Sequence, residues 1–258
     1  VDTTLLGIIS GTAATAIYGV GSQINQYYMA LSTSISGVFT PQINRIVARG
    51  EGDEQLTKLF TRVGRIQFML LMLVLTGFVF VGMPFICAWG GEEYGAAYYI
   101  ALLLIGPVTV PLIQNIGIEI QRAKNMHQFR SKVYFCMAIG NALVSIPLGM
   151  KFGGIGCALG TAISMIVGNG FIMNWYYQTH IGLDMRYFWK HILSIVPAML
   201  PAVALGVLAV RLHTFTGYAG VAAFAVPYAA VYAIGLYCFA MDESEKDMVR
   251  GVMRKIRK

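Results

Sequence analysis

Charge is what this sequence lacks. Lys, Arg, Asp and Glu together make up 12% of its 258 residues, about half the share of an ordinary soluble domain. That deficit excludes a water-facing surface of normal charge density. Cysteine is sparse as well. Cys87, Cys136, Cys157 and Cys238 stand far apart, which excludes a disulfide framework, and no metal-type spacing links them to the four histidines. Catalytic motifs are missing: there is no GxSxG, no HExxH and no GxxxxGK followed by Ser or Thr. His127, His180, His191 and His213 all fall at segment boundaries, so no intramembrane His–carboxylate constellation can be built. The chain is therefore not read as an enzyme, and an embedded lipid-modifying enzyme is the weakest reading. No cleavable signal peptide is visible.

What is there is grease. Hydrophobic residues are 57% of the chain, and uncharged runs occupy 66–89, 97–121, 133–150, 155–177, 191–210 and 217–240. Each is compared with the roughly 20 residues that cross a bilayer. With 15–41 and a short piece at 1–12, the sequence predicts an all-α integral membrane protein with about eight transmembrane helices. The net charge of +7 is topology, since all 19 Lys and Arg lie between the segments. Connections 42–65, 122–132 and 178–190 and the tail 241–258 hold 5 + 4 + 2 + 6 = 17, against 1 + 1 = 2 in 151–154 and 211–216. Short connections rich in Lys and Arg stay in the cytoplasm, so both ends are expected there. The basic balance is no nucleic-acid footprint. Trp89, Tyr94, Tyr98 and Tyr99 on one side, and Trp175, Tyr176, Tyr187 and Trp189 on the other, suit the headgroup layers.

The segment 15–41 carries Gln23, Asn25 and Gln26, and a lipid-facing amide would have no partner. At about 100° per residue, one arc collects Ser22, Gln26, Thr33, Gly37 and Thr40, flanked by Gln23, Asn25 and Ser36. The opposite arc collects Ile24, Tyr28, Leu31, Ile35, Val38 and Phe39. Counted from residue 15, the amides lie about 12–17 Å deep. Polar groups at such depth either line a water-filled cavity or hydrogen-bond across a bundle as packing glue. Gln23, Asn25 and Gln26 are the principal cavity candidates.

Asp2 and Glu119 are the acidic residues within the segments. Asn115, Glu119 and Arg122 follow at i, i+4 and i+7 on one face, with Asn115 one turn deeper and a further cavity candidate. Glu119 lies about 33 Å from residue 97, near the cytoplasmic boundary. It reads either as a local pair with Arg122 or, with Arg122 and Asp2, as a coupling or gate residue. Gly156, Gly160, Ser164 and Gly168 form a small-residue seam for close helix packing. Pro107 with Pro111, and Pro197 with Pro201, predict bends. The last two segments, rich in Ala and Val, look like lipid-facing additions to a six-helix core.

Between segments, Leu56, Leu59 and Phe60 after an acidic helix start predict a short helix on the membrane surface. The tail places Met248, Val249, Val252 and Ile256 at helical spacing among basic residues, as expected for a helix lying on anionic headgroups.

The stretch "DTTLLGIISGTAATAIYGVGSQINQYYMALSTSISGVFTPQINRIVA" resembles the start of the second half of polysaccharide-biosynthesis flippases of the multidrug/oligosaccharidyl-lipid/polysaccharide exporter superfamily. "PVTVPLIQNIGIEIQRAKNMHQFRS" and "GGIGCALGTAISMIVGNGFIMNWYY" carry the resemblance further, and it spans the whole chain. It implies fourteen helices, two six-helix lobes around a central cavity plus two more, of which this chain resembles helices seven to fourteen. Residues 1–178 would be the C-terminal six-helix lobe with its first helix truncated, 191–240 the two additional helices, and 241–258 a basic cytoplasmic tail. The start at Val1 fits an absent N-terminal lobe. The resemblance implies movement of undecaprenyl-pyrophosphate-linked oligosaccharide from inner to outer leaflet of the cell membrane by alternating access. No cofactor is implied, though a proton or sodium gradient is a candidate for coupling. Family members often meet the pyrophosphate with cavity cations, and no helix core here holds Lys or Arg, which assigns those charges to the absent lobe. The nearest rival is a cation-coupled multidrug exporter of the same superfamily, which prefers deep carboxylates. A non-transporting membrane scaffold is a third reading, against which the amphipathic segment 15–41 argues.

Overall fold

The computed structural model describes residues 2–9, 11–213 and 215–256, with side chains described throughout except at 2, 5, 8, 9, 248, 249 and 252–256. Asp2 and the apolar face of the tail helix at Met248, Val249, Val252 and Ile256 therefore lie outside the described side chains. Every regular element among the described residues is helical. α1 (Asp2–Ile9) leads into α2 (Gly11–Arg49) and α3 (Asp53–Gly90); a 3₁₀ turn (Glu92–Tyr94) precedes α4 (Ala96–Ile113) and α5 (Ile116–Ala123). α6 (Gln128–Met165) continues as a wider π-helix over Ile166–Met173, a short α7 (Asn174–Tyr176) and π turns over Tyr177–Ile181. α8 (Met185–Leu193), α9 (Val196–Leu212), α10 (Gly217–Phe239) and α11 (Glu243–Ile256) follow.

Among the described residues, five helical stretches are long and apolar enough to cross a bilayer: 53–90, 92–113, 128–181, 185–212 and 217–239. The third has 54 residues, more than twice one crossing, and it folds back at Gly153 (φ 59°, ψ −135°). That left-handed φ suits a residue without Cβ. The expected segments 133–150 and 155–177 are thus the two legs of one hairpin. α2 is 39 residues long but too rich in Ser, Thr, Gln and Asn to count among the apolar stretches.

Two expected bends take the form of breaks. α4 stops at Ile113 and α5 restarts at Ile116, two residues past Pro111; α8 stops at Leu193 and α9 restarts at Val196, just before Pro197. A proline removes a backbone donor and crowds the preceding turn, so the break before Pro197 lies where the ladder is already incomplete. Pro107 and Pro111 instead sit inside an unbroken α4, and the break follows them.

The connections rich in Lys and Arg gather at one end of the bundle. Lys124 bonds the Asp53 carboxylate and donates to the Ile181 carbonyl at 2.7 Å; the Asp184 amide donates to the Thr57 hydroxyl at 3.2 Å. At the other end the hairpin turn at Gly154 lies against Ile100 and Tyr18. The short surface helix expected around Leu56, Leu59 and Phe60, within 45–60, is corrected here. Those three residues lie in the first turns of α3 and are buried, with the Phe60 ring 4.6 Å from that of Phe188 and 5.8 Å from that of Tyr177. The spacing that suggested a membrane-facing strip instead fits a protein core.

The last two long helices are fastened to the rest as well as exposed to their surroundings. Phe224, Tyr228, Tyr232 and Leu236 of α10 and Ala198, Met199 and Ala202 of α9 are buried in the main core. The Tyr232 hydroxyl donates to the Met69 carbonyl at 2.8 Å. Their other faces are bare hydrocarbon: Leu200, Leu208, Val226 and Ile234 are exposed. Arg65 completes the attachment. Its guanidinium donates to both Glu245 carboxylate oxygens at 2.9 and 3.0 Å, to the His191 carbonyl at 3.0 Å and to the Ala240 carbonyl at 2.7 Å. Glu245 also accepts from the Asp242 amide at 2.9 Å, so one carboxylate closes a capping box on α11 and pairs a buried cation. The tail does not simply rest on a surface: its first turn is bolted to α3.

Candidate functional site

α2 presents two different polar faces. The inner face packs on α3 and α4. Gly21 sits against Ala97 and Ile100, where a Cβ would stand 3.0 Å from the Ala97 carbonyl oxygen. Tyr28 and Thr109 share a 2.8 Å hydrogen bond, and the Ser32 hydroxyl donates to the Leu112 carbonyl at 2.8 Å. Gln67 donates to the Ser32 hydroxyl at 3.0 Å and to Ser36 at 2.7 Å. These groups are interhelical glue.

The outer face carries Gln23, Gln26, Tyr27, Ala30, Thr33, Ser34 and Gly37, all exposed. The Gln23 amide donates to the Tyr27 hydroxyl at 2.9 Å, and Ser34 donates back to the Ala30 carbonyl at 2.8 Å. Leu31 and Val38 are exposed at its border, and the exposed flanks of the other long helices are largely apolar, as at Phe135, Leu143, Phe171 and Val226. A lipid tail cannot satisfy amides and hydroxyls, so the outer face of α2 stands out as the hydrophilic one.

Asn25 does not join it. One residue is about 100° of rotation, which turns Asn25 toward the inner face while Gln23 and Gln26 point out. Its Oδ1 is buried with no hydrogen-bond partner among the described residues. Depth also differs from the count along the sequence. With Gly21 against the first turn of α4, Gln23 and Gln26 lie only about 3 and 8 Å further along α2, in the half of the bundle nearer the 90–96 connection. Tyr28 and Thr109 lie deeper, and Ser32, Ser36 and Gln67 lie deeper still, against the last turn of α4 toward the Lys- and Arg-rich end.

Asn115 stands at the break between α4 and α5, half-buried, with no side-chain cap bond to α5. Glu119 and Arg122 form the local pair, Arg122 donating to Glu119 at 2.8 Å, with the arginine side chain 65% exposed. Asn115 leads directly into the helix that holds this pair, its carbonyl accepting from the Ile118 amide at 3.1 Å.

A connected polar chain runs behind the break, and spacing along the sequence gave no hint of it. Gln114 donates to Asn174 Oδ1 at 3.0 Å, and the Trp189 indole N–H donates to the same oxygen at 2.7 Å. Asn174 in turn donates to the Asn169 carbonyl at 2.8 Å. Asn169 Oδ1 accepts from the Tyr134 hydroxyl at 3.0 Å, which accepts from Arg130 at 2.9 Å. Residues five apart diverge on an α-helix but align on a π-helix, so the widened turns at 166–173 are what bring Asn169 and Asn174 together. Polar contacts in membrane bundles contribute about 0.6 kcal/mol each and up to about 1.7. Asn174→Ala, which strands Gln114 and Trp189 together, is expected to cost about 1–2 kcal/mol in unfolding measured in detergent, with a red shift of tryptophan emission. An unchanged melting curve and spectrum would show the chain to be dispensable.

No family model matches the sequence, and no solved structure matches it. Over 173 residues, 65% of its length, the chain is 26% identical to the probable flippase AglR of Haloferax volcanii. The matched stretch spans 36% of that relative, so the chain is similar to roughly a third of a protein described as a flippase.

Proposed function

We propose that the chain belongs to a membrane flippase, a transporter rather than an enzyme, and that it moves a lipid-linked oligosaccharide from the inner to the outer leaflet by alternating access. The observation that carries this reading is the exposed polar face of α2 on an otherwise greasy bundle; the likeness to a probable flippase supports it. A hydrophilic face at membrane depth needs water, a polar cargo or another protein lobe against it. On this reading it faces a second six-helix lobe across a wet cavity. Gln23 and Gln26 hydrogen-bond sugar hydroxyls or water, and the Tyr27 ring offers a flat surface beside them. Asn115 is a lesser partner at the helix break, Asn25 supports the wall from within, and Glu119 with Arg122 forms a gate at the boundary.

The finer architecture belongs to the same proposal. Eight membrane helices divide into a lobe at 1–178, two added helices at 191–240 and a basic tail at 241–258, with both ends of the chain in the cytoplasm and the protein in the cell membrane. An undecaprenyl pyrophosphate carrier and a proton or sodium gradient are the expected lipid and driving force.

Thiol labelling in the complete protein, with the native cysteines replaced, tests the site. Gln26→Cys is expected to react with a membrane-impermeant maleimide and to be protected by a lipid-linked oligosaccharide. Ile24→Cys, half-buried against the core, and Leu143→Cys, exposed on an apolar face, are expected to stay unmodified. If position 26 is as inert as position 143, the face is dry and the cavity assignment falls.

A further inference from the structure

The turn between α5 and α6 builds a basic cavity. Three backbone bonds reverse the chain there: the amides of Lys124, Asn125 and Met126 donate to the carbonyls of Ile120, Arg122 and Gln121 at 2.9, 3.0 and 2.8 Å. Asn125 takes a left-handed φ of 57°, which Asn tolerates better than most residues. α6 therefore starts beside the end of α5. Arg122, His127, Arg130, Ser131 and Tyr134, with Ile118, enclose a cavity of about 460 Å³, a size typical of small-molecule sites. Lys124 is turned away to Asp53 and Ile181.

Arg130 is the fixed element. Its guanidinium carbon lies 4.6 Å from the centre of the Tyr134 ring, and one of its nitrogens is held by the Tyr134 hydroxyl, itself anchored to Asn169. No carboxylate pairs with Arg130 among the described residues; the nearby carboxylate, Glu119, is taken by Arg122 through one nitrogen. Arg130 thus brings a guanidinium with no carboxylate partner to the cavity, while Arg122 spends one nitrogen on Glu119, which leaves an excess of positive charge there. An arginine oriented from behind, with N–H groups that no carboxylate takes, is suited to bidentate contact with phosphate oxygens. Basic pockets between membrane helices at the Lys- and Arg-rich end bind lipid headgroups for this reason.

We propose that this cavity binds a phosphate or diphosphate group carried by a membrane lipid. Arg130 and Arg122 are the charged ligands, and His127 and the Ser131 hydroxyl are additional donors. The site stands independently of what the protein flips. The same chemistry has two sources: the diphosphate of a lipid-linked cargo, or the phosphate of a bulk anionic lipid.

The test uses the complete protein in phosphatidylcholine nanodiscs, titrated with radiolabelled inorganic pyrophosphate by equilibrium dialysis. Wild type and Lys132→Gln, an exposed cation outside the cavity, are expected to bind alike. Arg130→Gln and Arg122→Gln are each expected to bind roughly tenfold more weakly, the scale of one lost charge-assisted bond. Arg122 is largely exposed, so its variant keeps the test meaningful if Arg130→Gln fails to fold. Nanodiscs with equimolar phosphatidylglycerol then separate the sources. Loss of pyrophosphate binding there identifies a bulk lipid as occupant, and retained binding identifies a diphosphate headgroup. No binding by wild type in phosphatidylcholine, or wild-type affinity in both Arg variants, overturns the site. Labelling at position 26 is read separately, so failure here and failure of the flippase reading are told apart.

Discussion

Replacing Arg65 by Met is expected to lower the stability of the folded bundle by about 3–5 kcal/mol, the usual cost of removing one partner from a buried ion pair. Both side chains of the pair are 5% exposed. Without the guanidinium, the Glu245 carboxylate is buried and uncompensated, and the His191 and Ala240 carbonyls lose their donor. The loss falls at one place: Arg65 is where α3, the end of α8, the end of α10 and the start of α11 meet. Glu245→Gln is expected to cost less, because an amide oxygen still accepts from Arg65. The double variant Arg65→Met with Glu245→Met is expected to recover much of the single-variant loss, since a well-packed apolar pair is often neutral relative to a buried ion pair. Thermal unfolding in detergent measures all three, and limited proteolysis after Lys246 reports whether α11 has come loose. Arg62, exposed on the same helix, is the control, with Arg62→Met expected within about 0.5 kcal/mol of wild type. Equal melting temperatures for the Arg65 and Arg62 variants would remove the lock from the argument.

That prediction also marks a limit of reading by spacing. Nothing in the local sequence distinguishes Arg65 from Arg62, and both counted equally as charges flanking a membrane segment. Their difference is tertiary: Arg65 meets a carboxylate 180 residues away. Hydrophobic periodicity did find the long helices and the amphipathic nature of α2, because these depend on neighbours within a turn or two. It misjudged the stretch around Leu56, Leu59 and Phe60, where the apolar stripe of a surface helix and that of a core helix look alike until a partner such as Phe188 is placed. It placed Asn25 and Gln23 on the two flanks of one polar arc, although they are about 160° apart on the helix and the exposed face is centred on the Gln23 side. The Gln114–Asn174–Asn169 chain escaped because an α-helical wheel assigns residues five apart to different faces.

Gly156→Ala is expected to destabilise the hairpin by about 3 kcal/mol, the upper part of the usual range for overpacking. The small-residue seam read from the sequence is present, and it lies inside α6 itself, between the two legs of the hairpin. A Cβ on Gly156 would overlap the Leu148 carbonyl and stand 2.9 Å from the Gly149 amide nitrogen. Those are backbone atoms of the opposing leg, which cannot rotate aside as a side chain would. Gly160 likewise lies against the Ser145 backbone as well as its hydroxyl, whereas Gly168 meets the flexible Met137 side chain, and Ser164 borders a small cavity with Asn141 and Thr161. In a lipid environment helices gain little from hiding apolar surface, so close backbone approach and packing carry the association. Separating the legs would also disturb Tyr134 and Asn169, which face each other across them and hold Arg130 in place. The informative comparison is Gly140→Ala on the first leg, where nothing lies within 4 Å of the added methyl. There the loss of backbone freedom in the unfolded chain is expected to stabilise by about 0.4–1 kcal/mol. Two Gly→Ala changes in one helix should therefore shift the unfolding temperature in opposite directions, and pyrophosphate binding should weaken in Gly156→Ala alone. Parallel shifts would show that the legs are not held by this seam.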